Sequence, residues 1–140
     1  MTISTGNIIE VRLAQGYAYG LVLAEPAAYP PAIGFLPQIH SRRLSDVTPD
    51  LWNGGYVVLL SPLDRASANG TLTVLRSKAL AGDFPEPKFR VPVRDRRGRI
   101  LYQWQWNAGQ IELPNSQDID TLPIREIVPL EHVAPYLQSA

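Results

Sequence analysis

Four arginines stand within six residues of one another, and an aromatic stretch follows them directly. The arginines are Arg94, Arg96, Arg97 and Arg99, and the aromatic residues are Tyr102, Trp104 and Trp106. A guanidinium group presents a planar fork of donors that matches carboxylate and phosphate oxygens. Aromatic side chains that alternate along a strand can stack on sugars or unpaired bases. They are equally ordinary in the core of a sheet, which is the interpretation we favour for this face.

The chain after the arginines is acidic. Between residues 76 and 99 eight basic residues oppose three acidic ones, whereas between residues 100 and 140 one basic residue opposes five acidic ones. Glu112, Asp118 and Asp120 are the first acidic residues after the aromatic stretch, and they are candidates to contact a basic partner. The chain as a whole has zero formal net charge. The two stretches therefore either pair with each other or attract partners of opposite charge.

Motifs for enzyme chemistry or cofactors do not occur in the sequence. The chain has no cysteine, and its only histidines, His40 and His132, lack a second ligand type at metal-binding spacing. Asp118 and Asp120 lack the glycine and closing glutamate of a calcium loop. Glycine-rich phosphate loops and nucleophile elbows are also missing. We expect a binding protein without catalytic residues, metal or cofactor, although a pair of distant carboxylates would leave no local signature.

Two β-hairpins position most of these residues. Residues 8–13 alternate between apolar and polar side chains, Gly16 allows a tight turn, and residues 17–23 predict a second strand with Tyr17, Tyr19, Leu21 and Leu23 on one face. The second hairpin joins residues 89–93 to residues 100–106, with the four arginines at its tip. Residues 111–113 follow a further turn and predict a three-stranded meander. The arginine tip and the aromatic strand thus belong to one element.

The remaining segments complete a mostly β prediction. Further strands are expected at residues 32–36, 56–60, 71–76 and 123–128, of which 56–60 is apolar on both faces and therefore predicted to be central. Residues 130–137 predict a short C-terminal helix. Thirteen prolines leave few windows for a longer helix. We expect a small, strongly bent antiparallel sheet or a partly open barrel with that short helix.

Length and hydropathy set the wider expectations. A chain of 140 residues suits one domain, which we place at residues 1–140. The first residues show neither the basic region nor the apolar run of a signal peptide, and no apolar stretch is long enough for a membrane span. The expected location is the cytoplasm. The sequence does not predict an oligomeric state.

The first hairpin carries a family resemblance. Residues 6–13, with the sequence GNIIEVRL, and residues 16–23, with the sequence GYAYGLVL, resemble the opening of the immunity protein 26 family of bacterial polymorphic-toxin systems. Gln15 stands where that family usually has an acidic residue or asparagine. A similar opening occurs in SH3-like barrels, including ribonuclease toxins, but the Arg-Pro pair of those toxins is missing here. The resemblance covers about 20 of the 140 residues.

The resemblance implies a protein that neutralises a cognate toxin by tight contact, and it supplies no catalytic residues. Either the acidic residues would face a basic toxin, or the arginine tip would face an acidic one. The alternative function is a small β-barrel module that binds nucleic acid through the arginine tip and the aromatic strand. That alternative predicts exposed tryptophan on this strand and strongly salt-dependent binding.

Overall fold

A computed structural model describes residues 3–26, 28–63, 71–76, 84, 87–107, 110–112 and 119–139. The strands are β1 Ile8–Leu13, β2 Gly16–Ala24, β3 Ala32–Phe35, β4 Gln38–Ile39, β5 Val57–Leu60, β6 Leu72–Arg76, β7 Lys88–Arg94, β8 Ile100–Asn107, β9 Gln110–Glu112 and β10 Gln138–Ser139. Short 3₁₀ helices span Pro49–Gly54, Ile119–Thr121, Leu130–His132 and Ala134–Tyr136. The predicted mostly β class is confirmed.

Five strands form an antiparallel sheet in the order β5-β3-β2-β1-β6. The β1–β2 hairpin has the predicted position, with Leu13 opposite Gly16 at its turn and Ile8 opposite Leu21 at its far end. Gly16 has a φ of +141°, and a Cβ placed on it would stand 2.2 Å from the carbonyl oxygen of His40. Both the backbone conformation and the close approach therefore require glycine at this turn.

Both faces of the first hairpin are buried at its centre, over residues 8–11 of β1 and 18–22 of β2. One face carries Ile9 and Val11 in a large apolar cluster. The other carries Ile8 beside Tyr19 and Leu21, and Trp52 from the first 3₁₀ helix packs onto it. Glu10 lies on this second face and is only 4% exposed. The alternation of charged and apolar residues in β1 marks the two faces correctly, but the polar face is covered by residues 44–56.

The second sheet is the predicted meander, in the order β7-β8-β9. Residues 88–93 of β7 pair in register with residues 102–107 of β8, and a bulge follows Val93. Phe89 and Trp106 are buried at the base of this hairpin, and they share an apolar cluster with Ala32 and Leu60 of the first sheet. The base of the hairpin is therefore anchored in a core that both sheets build.

Residues 122–128 connect the two sheets. Ile124 forms a parallel bridge to Arg90 of β7, and Ile127 forms a parallel bridge to Leu60 of β5. The predicted strand at residues 123–128 is thus reduced to two isolated bridges, because its two ends pair with different sheets. β5 lies at the edge of its sheet, so the prediction that it is central is wrong.

The C-terminal residues form two 3₁₀ turns where a short helix was predicted. Pro129 precedes the first turn, and Pro135 lies at the start of the second. Pro135 has no N–H to donate and its ring would clash with the preceding helical turn, so the chain cannot continue as one helix. β10 then pairs in parallel with β4. In the part of the chain that the structure describes, the sheets do not close into a barrel.

Candidate functional site

The β7–β8 hairpin is longer than the segments that pair with it on either side. On the β9 side, pairing involves residues 105–107 of β8, and on the other side the bridge to Ile124 involves Arg90 of β7. Among the described residues, the outer half of the hairpin is paired only within itself, between residues 91–94 and residues 100–104. We call this outer half, residues 91–104, the hairpin end.

The turn of the hairpin end is held by Asp95. Its Oδ1 accepts hydrogen bonds from the backbone N–H of Arg97 at 2.8 Å and of Arg99 at 3.0 Å. The backbone N–H of Asp95 donates to the carbonyl of Arg99 at 2.9 Å, and Gly98 closes the turn with a φ of +82°. Asp95 Oδ2 also lies 3.4 Å from Nε of Arg99. The single acidic residue of the tip is therefore used internally.

All four predicted arginines are exposed on this turn. Arg94 donates from Nη1 to the carbonyl of Gly98 at 2.9 Å, and Arg99 pairs with Asp95. The guanidinium groups of Arg96 and Arg97 have no hydrogen-bond or ion-pair partner among the described residues. These two side chains are available for a ligand, and they face solvent as a pair of permanent positive charges.

On one face of the hairpin, the exposure of the aromatic side chains increases from the base to the tip. Trp106 is fully buried and packs edge-to-face on Phe89 with ring centroids 5.4 Å apart. Trp104 is half-buried, and Tyr102 is 53% exposed. The rings of Tyr102 and Trp104 meet edge-to-face at 5.9 Å and 82°. The predicted aromatic ladder is thus core at one end and an accessible aromatic surface at the other.

The opposite face of the hairpin combines a polar network with an exposed leucine. Arg90 donates from Nε to the carbonyl of Leu122 and from Nη1 to Oε1 of Gln103, both at 2.9 Å. Gln103 donates from Nε2 to Oδ1 of Asp120 at 2.6 Å. Leu101 lies nearer the tip on this face and is 63% exposed. The network fixes the base of this face, and Leu101 projects beyond it.

Of the three predicted acidic residues, only Asp120 has a described side chain, and it does not join the arginines in one site. Asp120 is bound to Gln103, on the face of the hairpin opposite the exposed aromatic rings. Glu112 belongs to β9, where its backbone pairs with Gln105. Asp118 lies outside the described residues. The described structure therefore groups Arg94, Arg96, Arg97 and Arg99 with Tyr102, and it places Asp120 at the flank.

Sequence reasoning missed the exposed aliphatic residues of the hairpin end. Ile100 is 42% exposed, and with Leu101 and Tyr102 it forms three consecutive large apolar side chains that remain accessible. Because successive residues of a strand point to opposite faces, this run exposes apolar surface on both sides of the hairpin. The signal in the sequence was the run Ile100-Leu101-Tyr102 directly after four arginines, on a hairpin too long for its partners to cover.

Sequence reasoning also missed an ionic cluster around the buried Glu10. Its Oε1 accepts from Nε and Nη2 of Arg43 at 3.0 and 2.7 Å, and its Oε2 accepts from the hydroxyl of Tyr19 at 3.0 Å. The same hydroxyl accepts from the backbone N–H of Leu44 at 2.8 Å. Burial raises the pKa of Tyr19, and the hydrogen bond to Glu10 raises it further. The hydrogen bond to Glu10 also raises the pKa of Arg43.

This ionic cluster holds the chain against the sheet and offers little to a ligand. Both carboxylate oxygens of Glu10 already have partners, and the guanidinium of Arg43 lies 5.7 Å from the ring centroid of Tyr17. The register of the first hairpin contained the signal, because Glu10 stands directly opposite Tyr19. Arg43 is 33 residues away from Glu10 along the chain, and no local pattern connects the two.

The histidines and carboxylates of the described residues do not assemble into a metal centre. His40 bridges to Tyr17 through its backbone and meets the ring of Tyr19 edge-to-face, whereas His132 is exposed in a 3₁₀ turn. Within the described ranges, no cluster of three or more histidine, aspartate or glutamate side chains could hold a metal ion. None of the helices described there has the length and hydropathy to cross a membrane.

The hairpin end is therefore the candidate functional site, as a binding surface of arginines beside exposed aromatic and aliphatic side chains. Comparison with models of known protein families, with curated proteins and with solved structures finds no match for this chain.

Proposed function

We propose that this protein is a non-enzymatic inhibitor that binds a toxin protein through the hairpin end. The observation that carries the proposal is the exposed Tyr102, braced edge-to-face against Trp104 and flanked by four exposed arginines. Tyrosine, tryptophan and arginine are the residue types that contribute most binding energy in protein interfaces. The toxin as partner follows from the resemblance of residues 6–23, and the cytoplasm as location is part of the same proposal.

Exposed apolar area supports a protein partner. Ile100, Leu101 and Tyr102 are each at least 42% exposed, although three large apolar side chains in a row favour burial. Ile100 and Tyr102 share one face beside the charged tip, and an exposed apolar surface rimmed by charged residues is typical of an interaction site. Burying a large side chain of this kind stabilises a complex by roughly 1.5–3 kcal/mol, part of which offsets the entropy lost on association.

A nucleic-acid-binding module is the second candidate, and one observation favours it. Tyr102 is exposed on the same hairpin as the arginine tip, and aromatic rings combined with guanidinium groups are a common platform for unpaired bases. Trp106, however, is buried in the core, and Trp104 presents its half-buried ring at a right angle to Tyr102. The strand therefore offers one accessible ring and no row of parallel rings for successive bases.

The proposal is tested by capture from the native host. The tagged protein and its Tyr102→Ala variant are used as baits, and the proteins retained at low and high salt are identified by mass spectrometry. Tyr136→Ala is the matched control, because Tyr136 is another exposed tyrosine, distant in sequence from the hairpin.

We expect one stoichiometric protein that the wild type and Tyr136→Ala retain and that Tyr102→Ala loses. That protein should arrest growth when it is produced alone and lose this effect when the wild-type chain is produced with it. Recovery of nucleic acid without a protein partner would overturn the proposal in favour of the second candidate. A captured partner that does not arrest growth would show that the protein binds a partner of another kind and would contradict the toxin part of the proposal.

A further inference from the structure

We infer that the partner of the hairpin end is a protein surface on which carboxylates surround an apolar depression. This inference rests on the proposed function, because it specifies the chemistry that the same binding surface recognises. It is carried by three features of the described hairpin, which are its uncompensated charge, its exposed aliphatic side chains and its preformed turn.

The charge of the tip is not balanced from within. Asp95 is the one acidic residue of the turn, and its carboxylate is occupied by the backbone of Arg97, the backbone of Arg99 and the Arg99 side chain. Arg96 and Arg97 keep their guanidinium groups without partners in the described residues. A guanidinium binds a carboxylate through two parallel hydrogen bonds, so the complementary surface carries acidic residues at matching positions.

The neighbouring side chains favour a protein over a nucleic acid. Ile100 and Leu101 project on opposite faces of the hairpin, and aliphatic groups gain little from contact with phosphate or sugar but are readily buried in a protein. Asp120 stands on the flank, where it is bonded to Gln103 and would repel a passing phosphate chain. The exposed side chains of Ile100 and Leu101 therefore suit an apolar depression in a protein surface better than a nucleic acid.

The side chains of the hairpin end, rather than a backbone edge, make the contact. The N–H and carbonyl of Arg90 bond outward to residues 123 and 125, so Pro92, two residues further along β7, turns its nitrogen to the same outer side. Proline has no N–H to donate, and it blocks the addition of a partner strand at that edge. The turn itself is preformed by Asp95 and Gly98, which lowers the entropy lost on binding.

The test uses probes of defined chemistry on the full chain labelled for NMR. The probes are a capped peptide of alternating glutamate and leucine, the corresponding lysine and leucine peptide, and a single-stranded oligothymidylate. The proteins are the wild type, Arg96→Glu/Arg97→Glu and the charge-matched control Arg12→Glu/Arg42→Glu. The two arginines of the control are exposed and lie outside the β7–β8 hairpin.

We expect the glutamate peptide to shift the amide resonances of Arg96, Arg97 and Tyr102 in the wild type and in the control. The double charge reversal at the tip should weaken this binding about tenfold, because two attractions become repulsions. Tighter binding of the oligothymidylate, equal binding of both peptides, or no shifts in the hairpin would overturn the inference.

These outcomes separate the inference from the proposed function. If the glutamate peptide binds the hairpin but no captured protein arrests growth, the inference of an acidic protein partner is supported and the proposal that this partner is a toxin is contradicted. If a toxin is captured through Tyr102 while the glutamate peptide leaves the hairpin unaffected, the proposed function stands and the acidic surface is wrong.

Discussion

Trp106 and Tyr102 share one face of the same strand, but they have different environments. Trp106 packs between Phe89 and Tyr29, with the guanidinium of Arg125 6.0 Å from its ring centroid. Tyr102 has Trp104 as its aromatic neighbour and is open to solvent. At the scale of single residues, aromatic side chains on one face thus belong to the core at one end of the strand and are accessible to solvent at the other.

Replacement of the two residues should separate stability from binding. We expect Trp106→Ala to lower the free energy of unfolding by about 3–5 kcal/mol, because it leaves a cavity in the core. Tyr102→Ala should change it by less than about 1 kcal/mol, because its ring already faces water. Urea denaturation followed by circular dichroism measures both values. A loss for Tyr102→Ala as large as that for Trp106→Ala would show that Tyr102 is a core residue.

Tyr19 makes a second prediction at this scale. Its hydroxyl donates to Glu10 and accepts from the N–H of Leu44, so Tyr19→Phe leaves two buried groups short of a partner. We expect a loss of about 2 kcal/mol in the free energy of unfolding near neutral pH. Denaturation of the variant at pH 7 measures it, and an unchanged value would mean that the Glu10 cluster contributes nothing to stability.

The same hydroxyl gives the folded state an alkaline pH dependence. Because the pKa of Tyr19 is raised in the folded protein, the unfolded chain loses this proton first, at about pH 10. The stabilisation is complete below that pH and is lost as the pH rises through the higher folded pKa. Tyr136, whose pKa is raised by its hydrogen bond to Glu126, adds a decline of the same sign. Tyr19→Phe and Tyr136→Phe should therefore each show a shallower alkaline decline in the free energy of unfolding than the wild type.

At the scale of elements, both hairpins could be predicted from the sequence. Alternation over residues 8–13 and 17–23 and a glycine at each turn were sufficient, because strand faces and tight turns depend on local chemistry. β5 was placed wrongly for a physical reason. Leu59 and Leu60 are buried in clusters on different faces of the sheet, so the strand is apolar throughout although it lies at an edge. The apolar pattern of a strand indicates which of its two faces are buried, but it does not indicate whether a neighbouring strand lies on each side of it.

The outer edge of β7 gives the prediction at this scale. Pro92→Thr would restore an N–H on the side where Arg90 already bonds to residues 123 and 125, and it would lengthen the edge available for pairing. We expect the variant to self-associate more strongly than the wild type in sedimentation experiments. Pro62→Thr, at an exposed proline outside the β7–β8 hairpin, is the control. Equal sedimentation of Pro92→Thr and the wild type would show that this proline does not prevent strand pairing at the outer edge of β7.

At the scale of the molecule, the two sheets are held by residues 122–128 and by a shared apolar cluster. Neither could be predicted, because both depend on contacts between residues far apart in sequence, such as Leu60 with Ile127. The burial gradient along β8 has the same origin, since Trp106 meets the first sheet and Tyr102 extends past it. The arginine tip was predicted as a group, whereas the aliphatic part of the site emerged only from this arrangement.

Hydrogen exchange tests whether the two sheets unfold together, as expected of one domain. The N–H groups of Arg90 and Arg125 join residues 122–128 to β7, and that of Val128 joins them to β5. We expect these amides to open with the same free energy as Val11 and Ala18 at the centre of the first sheet. Earlier exchange at Arg90 and Arg125, with Val11 still protected, would indicate that the sheets are separate cooperative units.

The central claim, that the hairpin end is the docking surface, is tested most directly by the affinity of the purified captured partner. Titration calorimetry would compare the wild type, Tyr102→Ala and Tyr136→Ala. The account predicts that Tyr102→Ala raises Kd by about thirtyfold, equivalent to about 2 kcal/mol, because a central aromatic anchor is lost. Tyr136→Ala should leave Kd unchanged. Equal affinity of Tyr102→Ala and the wild type would contradict the account, because the partner would then bind elsewhere on the molecule.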